Sequence, residues 1–402
     1  GIPGLEHLKD WGDLFTVLAE ATQKEEVVIL FDEITWMGSK DPVFLGKLKV
    51  VWEQFFQKNP RLILILCGSI SSWIEKNIIS STGFVGRISL KLTLEELSLN
   101  ECNSLLESRG FKGSAQEKFM ALAITGGVPW YIELINPIIP VAENIRRLCF
   151  EPDGLFVEEF KYIFSDLFGK RVPICKKIVA SLRDGAKTYE EIAKSIGYPS
   201  GGPLSEYLED LIVSGFLERE NNWSIREGEE LKTSKYRIRD NYLRYYLKFI
   251  SPHLRKIKKG LFKKASPFRM PGWEGLMGLQ FESLVLNNRP ALWKELGIEV
   301  EDIVFENPYF QSKSSKWDGC QIDYMIQTRY NTLYVCEIKF SHHPITPEVI
   351  KEMKTKLKAL KIPKGYSAVP VLIHLNGLTS GIVDADYFVK TIDFSELLVK
   401  GD

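Results

Sequence analysis

Apolar residues fall along this chain in two rhythms, and the switches between them mark out its elements. Residues 27–31, VVILF, and 61–69, RLILILCGS, are continuous apolar runs rich in β-branched residues, the pattern of strands buried on both faces of a parallel sheet. Between them Phe44, Leu48, Val51, Trp52 and Phe55 recur at helical spacing, so strand, helix and strand read as a βαβ unit. From residue 93 the rhythm turns helical: TLEELSLNECNSLLESRG predicts a helix opened by a Thr93-x-x-Glu96 capping box and closed at Gly110, with further helices through Ile145. Residues 172–220 predict a helix, a turn at Gly185, a short helix from Thr188, a Gly-Pro turn, a longer helix and, after Gly215, the segment FLERE, with YRIRDNYLRYYLKFI continuing the module. From Gly272 the chain predicts a helix in WEGLMGLQFESLVLNN, strands CQIDYMIQT and NTLYVCEIKF joined by a tight Tyr330-Asn331 turn, a helix over 347–360 and a closing strand AVPVLIHL. There is no internal repeat and no low-complexity segment.

Composition sets bounds on this layout. A chain of 402 residues exceeds what one hydrophobic core organises, so roughly two to four domains are expected. Apolar content of 45% supports packed cores, and Lys+Arg and Asp+Glu balance at 52 each, so the surface is not basic as a whole and basic patches must be sought locally. One such patch is HLRKIKKGLFKK, residues 253–264, with six basic side chains and no acidic one; it reads as a linker able to neutralise phosphates. The six cysteines are scattered without a CxxC pair, as in a reducing cytoplasm, and no apolar run is long enough to cross a bilayer. The chain therefore reads as cytosolic, and its opening, GIPGLEHLKDWGDLF, reads like the interior of a domain.

The first chemistry lies at Asp32 and Glu33, which end the VVILF run. Adjacent carboxylates at the carboxyl edge of a parallel sheet stand where ligands of open α/β folds bind, although a solvated turn after a core strand gives the same pattern. VVILFDEITWM resembles the Walker B element of AAA+ P-loop ATPases. The resemblance implies Mg²⁺ held by Asp32, attacking water polarised by Glu33, and ATP as the nucleotide. CGSISS resembles sensor 1, implying Ser69 near the γ-phosphate; Arg87 in TGFVGRISL stands where such proteins carry an arginine finger, which implies self-association; and TGGVPWYI, residues 125–132, resembles their Gly-Gly-x-Pro segment. No GxxxxGK[ST] occurs, so either the chain starts beyond the phosphate loop or the module no longer binds nucleotide.

The second chemistry is in the C-terminal stretch. Metal-assisted phosphodiester cleavage needs two or three oxygen ligands around Mg²⁺ and gains from an amine that offsets charge on the phosphate. Glu337 and Lys339 alternate onto one strand face, and an antiparallel hairpin can set Asp323 beside them. An exposed ion pair explains Glu-x-Lys alone; a strand Asp followed by Glu-x-Lys resembles the PD-(D/E)xK nuclease superfamily. The resemblance implies Glu282, in LQFESLV, as a helical ligand beside Asp323 and Glu337, Lys339 in catalysis, Mg²⁺ or Mn²⁺ as cofactor and DNA as partner. Lys351, Lys354, Lys356 and Lys358 mark a basic helix nearby; His342 and His343 read as loop residues, and His7, His253 and His374 show no metal-ligand spacing.

The element order of residues 172–252 matches a winged helix-turn-helix, whose helix GPLSEYLEDLIVS is acidic and so suits packing better than a DNA groove. The whole series resembles prokaryotic AAA+ ATPases with a winged helix and a C-terminal PD-(D/E)xK nuclease-like domain. It implies a multidomain α/β chain: a partial P-loop NTPase core at 1–92, a helical lid at 93–171, the winged helix at 172–252, the basic linker at 253–271 and the nuclease-like domain at 272–402. The expected activity is an ATPase coupled to Mg²⁺-dependent DNA cleavage. The alternative is a nucleotide-switched DNA-binding or scaffolding protein with a catalytically idle nuclease fold.

Overall fold

Val27–Phe31 (β1) and Leu62–Leu66 (β2) pair in parallel, Val27 opposite Leu62 and Phe31 opposite Leu66, with the helix Phe44–Gln54 between them in the chain. The computed structural model describes residues 8, 10–24, 26–69, 72–262, 266–313, 315 and 318–399. His7, Ile70, Ser71, Lys263 and Lys264, all named above, lie outside the described residues. The chain divides into two units, Gly1–Leu94 and Glu95–Asp402.

In the first unit, Trp11–Thr22 and Phe44–Gln54 are helices that pack Phe15, Ala19, Phe44, Leu48 and Val51 against Phe31. The strands are not buried on both faces as their continuous apolar runs predict. Val28, Leu30, Ile63 and Ile65 are 44–60% exposed, because among the described residues the core of this unit gathers on the face of Ile29, Phe31, Leu62, Leu64 and Leu66.

The second unit holds two sheets. Lys187–Thr188 (β3), Leu217–Ser224 (β4) and Glu229–Ile238 (β5) form an antiparallel sheet of order β3-β5-β4. Helices Val172–Ser181, Tyr189–Ile196 and Gly202–Val213 precede and interleave these strands. Ile303–Gln311 (β6), Cys320–Thr328 (β7), Thr332–Lys339 (β8), Ser367–His374 (β9) and Lys390–Asp393 (β10) form a mixed sheet of order β10-β9-β8-β7-β6. The β7–β8 pair is antiparallel, turning at Asn331 with φ 57°, and β8–β9 is parallel. The helices Trp273–Asn287 and Glu348–Ala359 serve opposite faces of this sheet: Phe281 and Leu284 pack with Cys336 and Ile338, whereas Val349 and Met353 pack with Leu333 and Val335.

Three sequence expectations change here. The helix Leu99–Ser108 is opened by Ser98 and Glu101, which form the reciprocal capping box; Thr93 and Glu96 do not. Glu96 turns its carboxylate to the Gly127 N–H, 3.1 Å away, while Gly127 lies so close to Leu97 that an added Cβ would stand 2.4 Å from its carbonyl oxygen. The described residues of 253–271 do not run as a free linker: Ile257 and Pro267 are buried, and Lys258 Nζ lies 2.5 Å from Glu158. Finally, one hydrophobic cluster extends from Leu99 to Leu398 through the stretches expected as lid, winged helix and nuclease-like domain.

Strand β4 is locked to the larger sheet by buried polar contacts. Trp223, wholly buried, stacks on Phe305 and donates its indole N–H to Gln327 Oε1 at 2.7 Å. Gln327 in turn donates to the Ile225 carbonyl at 3.0 Å. Beside them Glu220, 2% exposed, pairs with Arg237 at 2.6 Å and Arg289 at 3.0 Å, and Arg289 reaches Glu306 at 3.0 Å. Burial of these charges is tolerable because each carboxylate is paired: one Arg289 nitrogen spans both Glu220 oxygens, the other spans both Glu306 oxygens, and Arg237 Nε adds a bond to Glu220.

Candidate functional site

The cavity in the second unit that bears chemistry opens where β7 and β8 part. Their ladder ends at Tyr324 opposite Cys336. Against β6 the register shifts at the same place: Asn307 faces Met325 and Tyr309 faces Ile322, two steps on β6 for three on β7. This is a β-bulge at Asp323 and Tyr324, a feature that re-aims side chains. Asp323 Oδ2 accepts the Ile338 N–H at 3.0 Å, in place of the ladder bond that a continuing β7 would make. The side chain thus substitutes for backbone and stands beside Glu337.

Glu282, Asp323, Glu337 and Lys339, four residues singled out from the sequence, line one open cavity of about 740 Å³ with Lys351, Glu352 and Lys356. Glu282 reaches it from the helix Trp273–Asn287 on the face that also carries Gly275 and Gly278. A Cβ at either glycine would meet no atom within 4 Å, so these positions keep the cavity wall low at the helix-propensity cost of glycine, about 1 kcal/mol each relative to alanine. Glu337 is 1% exposed. Burial, then the Asp323 charge, push its carboxyl above the usual range, and Lys356 works the other way. Burial and Asp323 also raise Glu282.

Two ammonium groups answer these carboxylates. Lys339 Nζ lies 3.2 Å from Glu337 Oε1 and 2.6 Å from Glu352; burial disfavours its charge, but the two carboxylates hold its pKa above the ordinary lysine value. Lys356 Nζ lies 2.6 Å from Glu337 Oε2 and 3.1 Å from Asp323 Oδ1. In its case too burial opposes the charge and the carboxylates more than offset it. The sequence reading placed Lys356 on a basic helix and missed its contact with both carboxylates. The signal was present: Val349, Met353 and Lys356 fall at i, i+4 and i+7, so the lysine continues an inward-facing row. Among the described residues no three His, Cys, Asp or Glu side chains form a ready metal-binding group. His342 packs on the Phe340 ring and, like His343, does not line the cavity.

In the first unit the turn after β1 brings Glu33 and Ser69 together. Glu33 takes left-handed backbone, φ 50° and ψ 45°, an uncommon state for a non-glycine residue that costs on the order of 1 kcal/mol. The turn lets the Ile34 N–H reach the Cys67 carbonyl at 2.9 Å. Ser69 Oγ donates toward the Glu33 carboxylate, 3.3 Å from each oxygen, and Asp32 Oδ1 accepts the Glu33 N–H at 3.0 Å. Burial and the adjacent Asp32 raise the Cys67 thiol. Arg87 is engaged elsewhere, by Glu53 and the Val85 carbonyl.

No protein-family model matches the chain. It is similar to an uncharacterized protein of Methanocaldococcus jannaschii, MJECL04, 24% identical over 261 residues, which cover 65% of this chain and 56% of that protein. The chain thus spans just over half the length of this curated relative. Among solved structures, the Walker-type ATPase PABY2304 of Pyrococcus abyssi superposes with a TM-score of 0.43 and 18% identity, over 61% of this chain and 69% of that one. Protein VC1899 from Vibrio cholerae gives a TM-score of 0.24 and 11% identity, over 99% and 80%. TM-scores this low do not establish a shared fold. No helix among the described residues is long and apolar enough to cross a membrane.

Proposed function

We propose that residues 272–402 act as a Mg²⁺- or Mn²⁺-dependent nuclease of PD-(D/E)xK type on DNA, and that residues 1–92 belong to an AAA+ module that binds and hydrolyses ATP. The observation that carries the first part is the single cavity lined by Glu282, Asp323, Glu337 and Lys339. Its donor types suit a hard divalent cation, three carboxylates from a helix and two strands; they are not grouped as a ready metal site among the described residues, and the Lys356 ammonium stands between two of them. Glu282, Asp323 and Glu337 would hold the metal, which when bound supplies a Lewis acid for the phosphate and a water of lowered pKa. Lys339, steadied by Glu352 and Glu337, offers its ammonium to phosphate oxygens, and Lys351 extends the positive rim. The bulge at Asp323 fixes the spacing of the strand carboxylates, and the low Gly275–Gly278 wall leaves room for a sugar-phosphate backbone.

For the ATP-directed part, support comes from the Ser69 hydroxyl at 3.3 Å from Glu33 beside Asp32. Asp32 would hold Mg²⁺, Glu33 orient water and Ser69 meet the γ-phosphate. Arg87 would serve as a finger only after leaving Glu53, on self-association. The reading as a scaffold with an idle nuclease fold has one observation in its favour, the same Lys356 contacts. Supercoiled plasmid incubated with Mg²⁺ or Mn²⁺ separates the two. We expect nicking by the wild type and its loss in Glu337→Ala and Lys339→Ala. Equal cleavage by all three proteins overturns the assigned site, and no cleavage by the wild type with either metal favours the idle fold.

A further inference from the structure

Every carboxylate oxygen that the sheet offers to the cavity is already taken by a protein donor. Asp323 Oδ2 is held by the Ile338 N–H and Oδ1 by Lys356; Glu337 Oε1 is held by Lys339 and Oε2 by Lys356. Glu282 faces them without a hydrogen bond or ion pair among the described residues, under the electrostatic influence of Asp323. The two lysines differ in what would remain to them if Asp323 and Glu337 were engaged by something else. Lys339 keeps Glu352 at 2.6 Å. Lys356 loses both its partners.

We propose that Lys356 is an internal surrogate for the divalent cation, a positioning residue whose ammonium and the metal compete for the same oxygens of Asp323 and Glu337, so that Lys356 sets the metal affinity of the site. The inference rests on the metal-site reading above. In the metal-free chain two carboxylates this close, one of them 1% exposed, need a counter-charge to stay ionised side by side, and Lys356 supplies it. A divalent ion and an ammonium cannot share those oxygens, because their repulsion at contact distance is several kcal/mol even with strong screening. The lysine has a way out: its side chain is 23% exposed, on a flexible four-carbon stem. Loading is therefore an exchange in which the ammonium returns to water as the metal enters. Affinity is lower than three bare carboxylates would give, and the site stays neutralised when metal is scarce.

The test is Mn²⁺ binding without nucleic acid, followed by calorimetry and by loss of the free Mn²⁺ electron-spin resonance signal. It compares the wild type with Lys356→Met, Lys356→Gln and Glu337→Gln. Lys356→Gln keeps amide donors toward both carboxylates while removing the charge, so it remains informative if Lys356→Met does not fold. Removal of the competing charge is expected to tighten Mn²⁺ binding by about tenfold or more in both Lys356 variants, and Glu337→Gln is expected to lose binding. Affinities in the folded Lys356 variants within about twofold of the wild type, or weaker, overturn the competition while leaving the metal site standing. Absence of Mn²⁺ binding in the wild type and both Lys356 variants overturns the metal-site reading, and this inference with it.

Discussion

Replacing Glu220 by Gln tests whether the buried charge network holds the second unit together. Glu220 accepts from Arg237 Nε at 2.6 Å and from Arg289 Nη2 at 3.0 and 3.1 Å, at 2% exposure. The glutamine is nearly isosteric, so packing is kept. What changes is the balance of charge: Arg237 and Arg289 are left facing Glu306, which pairs only with Arg289. Breaking a buried pair from one side leaves an uncompensated ion and costs about 3–5 kcal/mol. Urea denaturation at pH 7, followed by circular dichroism, should show the unfolding free energy falling by that amount, as a lower midpoint with the slope unchanged. The pH dependence gives a second reading of the same quantity. Burial pushes the Glu220 carboxyl up, but Arg237 and Arg289 outweigh it and hold the group below its ordinary value. A carboxylate lowered on folding stabilises fully above its unfolded pKa of about 4.3, and that contribution disappears as pH falls through the folded value. The gap between wild type and Glu220→Gln should therefore be full at pH 7 and close on acidification below about 4. A loss under about 1 kcal/mol at pH 7, or a gap that widens in acid, refutes the reasoning.

Two further substitutions test local statements. Gly127→Ala puts a Cβ 2.4 Å from the Leu97 carbonyl oxygen, where backbone on both sides must move; a destabilisation of about 1–3 kcal/mol is expected from thermal melting, and an unchanged melting temperature would contradict the close approach. Gly278→Ala meets no neighbouring atom within 4 Å and lies inside the helix Trp273–Asn287. It should raise stability by about 0.5–1 kcal/mol, measured by the same melt, and a loss would show that the space beside the helix is not free.

Much of this architecture was legible because local pattern and tertiary role coincide. The runs at 27–31 and 62–66 are strands, and the alternation in TLYVCEIK alone puts Glu337 and Lys339 on one face. Strand β6 escaped for a physical reason. It carries Pro308, which an edge strand tolerates, and an extra residue between Ile303 and Phe305 against β7, so its alternation is broken. Strand β10 has four residues, too few for any period to appear. The cap at Ser98 was missed because Thr93-x-x-Glu96 and Ser98-x-x-Glu101 are equivalent as strings, and only the long-range bond from Gly127 to Glu96 separates them. Gln327, which fits no motif, proves to hold Trp223 across a sheet boundary, a contact between residues 104 positions apart. The candidate site divides along the same line. Glu337 and Lys339 follow from strand alternation and Asp323 from the hairpin, Glu282 came only from the family resemblance, and the bridging position of Lys356 depends on how a helix sits over a sheet.

The clasp between Trp223 and Gln327 has a mechanical consequence. The ribbon of β4 and β5 cannot tilt as a free flap, since its indole is pinned to β7 and its Ile225 carbonyl is tied to the same side chain. Gln327 lies four residues from Asp323 along one strand, about 13 Å of extended backbone, a stiff strut in a sheet bonded on both sides. A pull on the ribbon tip is therefore delivered as load to the strand whose bulge aims Asp323, so whatever grips the ribbon also grips the geometry of the cavity.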